Sequence, residues 1–341
     1  MADLLGLADD ETRAMWAGLR LGYTESTGHP LLRREIAALY ESIEADEVLV
    51  FAGAEEAIYC LLSSSLQGGD HVIVTFPGYQ SLYEIARAAG AQVALHVLRE
   101  EDGWSLDVDR LVRSFRPETR MVVVNAPHNP TGMLPTEGEW RRLASACADA
   151  GVRLVSDEVY RFLEHDGAST LPAGADLDAR AISIGVMSKS FAMAGLRIGW
   201  LATRDRAVLE RCARLKDYTT ICSSAPSEVL ALIGLRARVA VLARSREIVS
   251  SNLAVLDDFF ARRADAFMWV RPRGGSTAFP RLVPDGPAGR SSDAFTARLV
   301  ESAGVLLLPS STFGFDDSHF RLGLGRIDLP EAMAKLEAFL G

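Results

Sequence analysis

Short apolar runs alternate with helical patterns between about residues 30 and 235, and this alternation constrains the fold more than any other feature. The runs are nearly continuous in Val, Ile and Leu, as expected of strands that are covered on both faces of a sheet. They comprise EVLVFA (47–52), HVIVTF (71–76), AQVALHVL (91–98), RMVVVNAP (120–127), VRLVSDE (152–158), RAISIGVM (180–187) and RIGWLAT (197–203). Between several of these runs lie segments with the apolar spacing of a helix, each ending at a glycine. The sequence therefore predicts an α/β fold with a largely parallel sheet flanked by helices.

The pattern changes after about residue 226, where a long helical stretch (226–262) precedes short apolar runs and two further helices. This part is typical of a smaller α+β domain. We predict a large α/β domain over residues 23–235 and a small domain over residues 236–341. A short N-terminal segment, residues 1–22, is expected to pack on the small domain or on a partner subunit.

Composition excludes several classes of function. The formal net charge is -9 and no basic stripe is present, so we expect neither nucleic acid nor an anionic membrane as a partner. No apolar run is long enough for a membrane span. The four cysteines form no C-x-x-C pair, which favours reduced thiols and a cytoplasmic location. The six histidines include no H-E-x-x-H motif, so we expect no metal site.

Polar residues occur where several predicted strands end. NAPHNPTG (125–132), SDEVYR (156–161) and SKS (188–190) each follow a strand, and GAEEA (53–57) opens a helix. Ligands of open α/β sheets bind outside the carboxyl ends of the strands. We therefore expect these four segments to form one site.

The residue types in this site match the groups of one cofactor. Lys189 is one of only three lysines, against 33 arginines, and a lysine can lose its charge and attack an aldehyde where an arginine cannot. Asp157 follows a buried strand and needs a cationic partner. The helix start at GAEEA and Arg197 suit a phosphate, while Asn129 and Tyr160 suit a phenolate oxygen. An aldehyde, a basic ring nitrogen, a phenolate and a phosphate together describe pyridoxal 5'-phosphate.

The chain resembles the class I/II aminotransferase family of fold-type I pyridoxal-phosphate enzymes from about Tyr23 onward. The motifs that carry the resemblance occur in the family's order. They are YTESTGHPLLRREIA, GAEEA, PGYQSLY, NAPHNPTG, SDEVYR, SKSFAMAGLRIG and FRLGLGR. Any one of them is weak alone, and the combination identifies the family.

The resemblance implies roles for the residues at the strand ends. Lys189 would form the Schiff base with the cofactor and carry the proton of the substrate's Cα. Asp157 would pair with the protonated pyridine nitrogen, and Tyr160 and Asn129 would bind the phenolate oxygen. Tyr79 matches the aromatic residue that stacks on the cofactor ring.

The resemblance also implies how the phosphate and the substrate are held. Ser188, Arg197 and the backbone of Ala54 and Glu55 would bind the phosphate. Tyr23 matches a tyrosine that reaches the phosphate of the neighbouring subunit, which implies a homodimer with shared active sites. The candidate substrate-binding residues are Asn129, Arg321, which would bind the α-carboxylate, and Tyr83, for which core packing is the alternative.

The implied activity is transfer of an amino group between an L-amino acid and a 2-keto acid. Elimination, replacement, cyclisation or decarboxylation would use the same cofactor and stay open as alternatives, although Arg321 disfavours decarboxylation. A cofactor-binding sensor without catalysis is a more remote alternative. Neither LKDYTTICSSAPSE (215–228) nor GGSTAF (274–279) contains an unambiguous basic residue for an acidic side chain, which argues against an aspartate-type substrate.

Three departures from the family pattern bear on the site. Val186 stands where many relatives carry a hydroxyl residue, and Glu55 stands where many carry Ser or Thr. We expect weaker cofactor binding as a result, with the Glu55 side chain turned away from the phosphate. Only 22 residues precede Tyr23, where relatives usually carry several dozen. We expect either an unusually open substrate pocket or a shortened start.

Overall fold

The computed structural model describes all 341 residues and is built around one seven-stranded sheet. Its strands are β1 (Val48–Phe51), β2 (His71–Phe76), β3 (Gln92–Val97), β4 (Thr119–Asn125), β5 (Arg153–Asp157), β6 (Ile182–Val186) and β7 (Gly199–Ala202). Their spatial order is β1-β7-β6-β5-β4-β2-β3, and only β7 runs against the others. The predicted α/β fold with a mostly parallel sheet is confirmed.

Helices cover both faces of this sheet. Those that precede residue 220 are α1 (Ala2–Gly6), α2 (Asp10–Ala17), α3 (Pro30–Ala37), α4 (Ala54–Ser65), α5 (Ser81–Ala88), α6 (Val108–Val112), α7 (Glu137–Asp149), α8 (Gly174–Leu177) and α9 (Arg206–Lys216). All six residues of β2 are buried, and alternate side chains enter different cores. Val72 and Val74 join a core with α4, α5 and α9, whereas Ile73 joins a core with α6 and α7. Burying each such side chain contributes about 1.5–3 kcal/mol, so β2 is most stable as a strand covered on both faces.

The C-terminal third contains shorter strands and longer helices. The helices are α10 (Ala225–Arg236), α11 (Arg238–Arg262), α12 (Ser292–Ala303) and α13 (Leu329–Leu340), and the strands are β8 (Phe267–Met268), β9 (Thr277–Ala278), β10 (Arg281–Leu282), β11 (Leu308–Pro309) and β12 (Phe320–Gly323). The strands pair as β10-β8 and β11-β12-β9. Phe259, Phe267, Phe295 and Phe320 form the centre of a separate core here.

The long helical stretch predicted over residues 226–262 is two helices. The break falls at Ala237, whose φ of -88° and ψ of 16° depart from helical values. The bend lets α10 pack against α2 and α3, while Leu253 and Leu256 of α11 enter the C-terminal core. Ala237 is neither glycine nor proline, so the sequence has no helix-breaking residue at the position of the break.

The first 22 residues pack on α10 of the same chain. Leu4 and Trp16 contact the cluster that includes Val229 and Ile233. Arg236 also forms ion pairs with Asp9 at 2.8 Å and Glu11 at 2.7 Å. The structure thus places this segment on a helix of the predicted large domain, and the proposed domain boundaries stay a prediction. None of the helices combines the length and apolarity needed to cross a bilayer.

Candidate active site

A cavity of about 330 Å³ lies where the fold predicts a ligand site, at the carboxyl ends of β4, β5 and β6. The N-terminus of α4 and one residue of β12 complete its walls. Ten of the residues selected from the sequence line it. They are Ala54, Glu55, Tyr79, Asn129, Asp157, Tyr160, Ser188, Lys189, Arg197 and Arg321.

Lys189 follows β6 and points its amino group into this cavity. Its Nζ lies 5.7 Å from the centre of the Tyr160 ring. Partial burial lowers the pKa of Lys189, and the nearby positive charges of Arg321 and Arg197 lower it further, while Asp157 opposes the effect. A larger fraction of the amino group is therefore neutral, which is the form that attacks a carbonyl carbon or accepts a proton.

Asp157 is the last residue of β5 and is only 3% exposed. Burial raises the pKa of its carboxyl to about 7. One carboxylate oxygen accepts a hydrogen bond from the backbone N–H of Val159 at 3.2 Å, but no cation pairs with it directly. A buried carboxylate in this position is stabilised by a ligand that brings a positive charge.

Asn129 links two walls of the cavity. Its backbone N–H donates to Oδ1 of Asn125 at 2.7 Å, and Asn125 in turn donates to the backbone carbonyl of Asp157 at 3.0 Å. The Asn129 side-chain oxygen accepts a hydrogen bond from Nη1 of Arg321 at 3.2 Å. With that oxygen engaged, its amide NH₂ group is the part left to donate to a ligand oxygen. Tyr160 is 3% exposed, and burial raises the pKa of its hydroxyl to about 12, so it too is a donor.

The start of α4 forms an anion-binding cup. Gly53 precedes the helix with a φ of 93°, and no side chain caps the free N–H groups of the first turn. A Cβ on Gly53 would lie 2.5 Å from Nη2 of Arg197, so glycine allows this guanidinium to approach the helix terminus closely. The buried hydroxyl of Ser188 has no hydrogen-bond partner. Helix N–H groups, a guanidinium and an unsatisfied hydroxyl are the donors that a phosphate requires.

The two departures in the cup have visible consequences. The Glu55 carboxylate accepts a hydrogen bond from the hydroxyl of Ser81 on α5. Its negative charge also contributes to the raised pKa of Tyr79, after burial. Val186 lines the cavity with an apolar side chain and is 5% exposed. Neither residue therefore adds a side-chain donor to the cup.

These features fit pyridoxal 5'-phosphate group by group. Its phosphate fits beside the Ser188 hydroxyl, which has no hydrogen-bond partner, and beside Gly53, where no side chain occupies the space. Asp157 fits the protonated ring nitrogen, and the Asn129 and Tyr160 donors fit the phenolate oxygen. Lys189 fits the aldehyde.

Two selected residues lie outside the cavity. Tyr83 is 3% exposed, packs on Phe76 and donates its hydroxyl to the carbonyl of Phe313 at 3.2 Å. The structure thus places it in the core, which was the alternative interpretation. Tyr23 is 92% exposed and does not line the cavity of its own chain.

Four further residues line the cavity that sequence reasoning did not select. They are Asn125, Ile58, Val159 and Ala194. Asn125 had a signal, because it is the polar residue that ends β4 within the NAPHNPTG motif. The other three are small or apolar, and nothing in their sequence context separates them from core residues.

Comparison with known proteins agrees with this geometry. The family of class I and II aminotransferases matches residues 8–334. Arginine–pyruvate transaminase AruH of Pseudomonas aeruginosa is 31% identical over 92% of this chain and 81% of its own length. Capreomycidine synthase of Streptomyces vinaceus is 32% identical over 93% of this chain and 80% of its own length.

A solved structure shows the same fold. It is a PLP-dependent aminotransferase from Streptococcus suis, which superposes with a TM-score of 0.91 at 30% identity. The superposition covers 99% of this chain and 89% of the other. Since the family match spans nearly the whole sequence, the chain belongs to the class I and II aminotransferases, enzymes that depend on pyridoxal 5'-phosphate.

Proposed function

We propose that Lys189 is the residue that binds the cofactor and moves the substrate proton in transfer of an amino group between an L-amino acid and a 2-oxo acid. The observation that carries the proposal is the pairing, in one cavity, of a lysine whose pKa is lowered and a buried aspartate whose pKa is raised. Opposite shifts in one site are a mark of acid–base chemistry. When bound, the cofactor supplies an electron sink for charge that develops on the amino acid's Cα and an acceptor for its amino group.

Each residue then has a defined task. Neutral Lys189 takes the proton from the substrate's Cα, because the lowering of its pKa increases the fraction of the amino group that can accept a proton. Asp157 holds a proton on the cofactor's ring nitrogen through its negative charge. Arg321 binds the substrate's α-carboxylate, and its hydrogen bond to Asn129 fixes the guanidinium relative to the residue that donates to the phenolate oxygen.

We further propose that a second copy of the chain completes the site with its Tyr23. The loop that carries Tyr23 is held firmly although the tyrosine itself is exposed. Lys216 donates to the carbonyls of Ser26 and Ile221, and the Thr24 hydroxyl donates to the carbonyl of Ser223 at 2.8 Å. A fixed loop that presents an exposed aromatic side chain is suited to a subunit contact. A cytoplasmic location stays a prediction from the cysteine usage.

One experiment tests the activity and the role of Lys189 together. The cofactor-loaded protein is mixed with amino acids that carry labelled nitrogen, and the label is followed into the amino acid formed from an added 2-oxo acid. Transamination predicts that the label moves to the new amino acid and that release of the first 2-oxo acid needs no other reagent. Lys189→Ala should lose this transfer by at least about 10³-fold, because both the anchor and the base are removed.

The likeness to the solved structure of a PLP-dependent cyclase, OrfR, gives cyclisation as a second candidate. In that case the label stays in the product and no 2-oxo acid acceptor is consumed. Release of labelled ammonia instead would indicate elimination. Retention of full transfer activity by Lys189→Ala would refute the assignment of the base.

A further inference from the structure

Asn125 lies at the centre of the cofactor cavity, and none of the contacts proposed above gives it a task. It is the last residue of β4, is only 2% exposed and lines the cavity. A side-chain amide has two N–H donors and an acceptor oxygen, and in the interior these groups need partners. The partners of Asn125 therefore indicate what this residue does.

The donor side of the amide is bonded to Asp157. Nδ2 of Asn125 donates to the backbone carbonyl of Asp157 at 3.0 Å, and the backbone N–H of Ala126 donates to the same carbonyl at 3.1 Å. The two strand-ending residues are directly opposite each other in the β4–β5 register. Two hydrogen bonds thus fix the backbone of Asp157 at the end of β5, and with it the point from which the carboxyl group projects.

The acceptor side of the amide is bonded to Asn129. Oδ1 of Asn125 accepts from the backbone N–H of Asn129 at 2.7 Å, and this N–H has no other acceptor. The turn that contains Asn129 is closed locally, because the backbone of His128 bonds to Gly132 at 2.8 Å and to Met133 at 2.9 Å. The local bonds form the turn, and the Asn125 side chain attaches Asn129 to the end of the strand.

The same series of hydrogen bonds reaches the residue assigned to the substrate. Nη1 of Arg321 donates to the side-chain oxygen of Asn129 at 3.2 Å. The series that begins at the Asp157 carbonyl therefore ends at Arg321. Buried hydrogen bonds in series orient one another, so a change at one amide is felt by the groups on both sides of it.

We propose that Asn125 is a positioning residue of the reaction. It holds Asp157 and Asn129 at one separation, so that the ring nitrogen and the phenolate oxygen of the cofactor are bound at the same time. The inference rests on the proposed function, because it concerns the cofactor contacts given there. A displacement of about 1 Å at such contacts can cost about 10²-fold in rate.

The chain contains a matched control for a purely structural role. Asn252 on α11 is 3% exposed, and its Nδ2 donates to the carbonyls of Leu324 at 2.8 Å and Arg326 at 2.7 Å. It is thus another buried asparagine that donates to backbone carbonyls, but it does not line the cofactor cavity. Asn252→Ala measures what the loss of such bonds costs the fold without touching the cofactor contacts.

A pH titration of the cofactor's absorbance tests the proposal. Donors to the phenolate oxygen stabilise its charged form, so the Lys189-bound cofactor loses its proton at lower pH. Complete loss of one such donor is worth about one to two pH units. Asn125→Ala displaces the Asn129 donor and should raise the midpoint by at least about half a pH unit, whereas Asn252→Ala should leave it unchanged.

A second variant and a second measurement support the titration. Asn125→Ser keeps a hydroxyl that can make one of the two hydrogen bonds, and it should give an intermediate midpoint. Fluorescence titration measures binding without turnover. Asn125→Ala should weaken pyridoxal 5'-phosphate and pyridoxal by the same factor, about tenfold, because Asn125 acts on the ring contacts and not on the phosphate cup.

The midpoint with Asn129→Ala, alone and combined with Asn125→Ala, shows whether one residue acts through the other. If it does, the shift in the double variant is smaller than the sum of the single shifts. Additive shifts would overturn the proposal. So would an unchanged midpoint in Asn125→Ala together with a loss of stability in urea equal to that of Asn252→Ala.

Failure of the proposed function has a different signature. A wild-type protein whose absorbance shows no cofactor bound through Lys189 would refute that function and this inference with it. A normal wild-type titration with an unshifted Asn125→Ala variant would refute only the role of Asn125. If Asn125→Ala does not fold, the midpoint of Asn125→Ser decides in its place.

Discussion

Replacing Asp157 with Asn tests the electrostatic argument on which the site depends. Burial raises the pKa of Asp157 from its ordinary 3.8 to about 7. At about 1.36 kcal/mol for each pKa unit, this rise of about three units corresponds to at most about 4 kcal/mol. That is the free energy by which ionising this carboxyl destabilises the cofactor-free fold.

The sign of the effect follows from proton binding. Between pH 3.8 and about 7 the folded carboxyl holds its proton while the unfolded one has lost it. The cofactor-free protein therefore loses stability as pH rises through this window. The amide that replaces the carboxyl does not titrate, so cofactor-free Asp157→Asn should be more stable than the wild type, with an advantage that grows by about 2 kcal/mol between about pH 5.5 and about pH 8.

The assay is urea unfolding of both proteins, stripped of cofactor, at several pH values. Asp149→Asn makes the same chemical change at an exposed residue on α7 and should leave the pH profile unaltered. Adding the cofactor should reverse the order, because the charged ring nitrogen stabilises ionised Asp157 and finds no anion in the variant. Parallel pH profiles for the wild type and Asp157→Asn would refute the claim that this carboxyl is costly to ionise.

Two further substitutions test the phosphate cup and the loop that carries Tyr23. Gly53→Ala should weaken the cofactor's affinity by at least about tenfold, because the new Cβ would lie 2.5 Å from Arg197 at a φ of 93°. Gly69→Ala, at a φ of 94° with nothing within 4 Å, is the control for backbone strain alone and should leave the affinity unchanged in the same fluorescence titration. Lys216→Met should lower the free energy of unfolding by about 2–5 kcal/mol, because it removes the two hydrogen bonds that the buried ammonium donates to the carbonyls of Ser26 and Ile221. Lys335→Met, at an exposed ion pair with Glu331, should leave the free energy of unfolding nearly unchanged, and equal losses in the two lysine variants would contradict the argument.

Much of the fold was predictable because burial on both faces of a sheet leaves a continuous apolar signal. All six residues of β2 are buried, and HVIVTF is recognisable as a strand without ambiguity. The position of the cavity was predictable because polar residues at the carboxyl ends of neighbouring parallel strands lie close together at one edge of the sheet. Asn125 and Asp157 are opposite each other in the β4–β5 register, which is how two motifs separated by some 30 residues come together.

Other features depend on tertiary packing that leaves no local signal. Tyr79 and Tyr83 are four residues apart, yet Tyr79 lies before the start of α5 and lines the cavity, whereas Tyr83 lies on α5 and packs in the core. The break at Ala237, which separates α10 from α11, carries no glycine or proline at that position.

The charge balance of the cofactor cavity explains why its lysine is not an arginine. Lys189 shares the space with Arg197 and Arg321, and their field lowers its pKa together with burial. An arginine at this position would stay charged, add a third fixed cation and offer no nucleophilic nitrogen. Asp157 compensates only in part, because the same burial raises its own pKa. The cavity therefore suits a ligand with a phosphate for Arg197, a cationic group for Asp157 and a carbonyl carbon for Lys189. The phosphate and the cationic group each compensate a charge of the protein that is unfavourable in the cofactor-free fold.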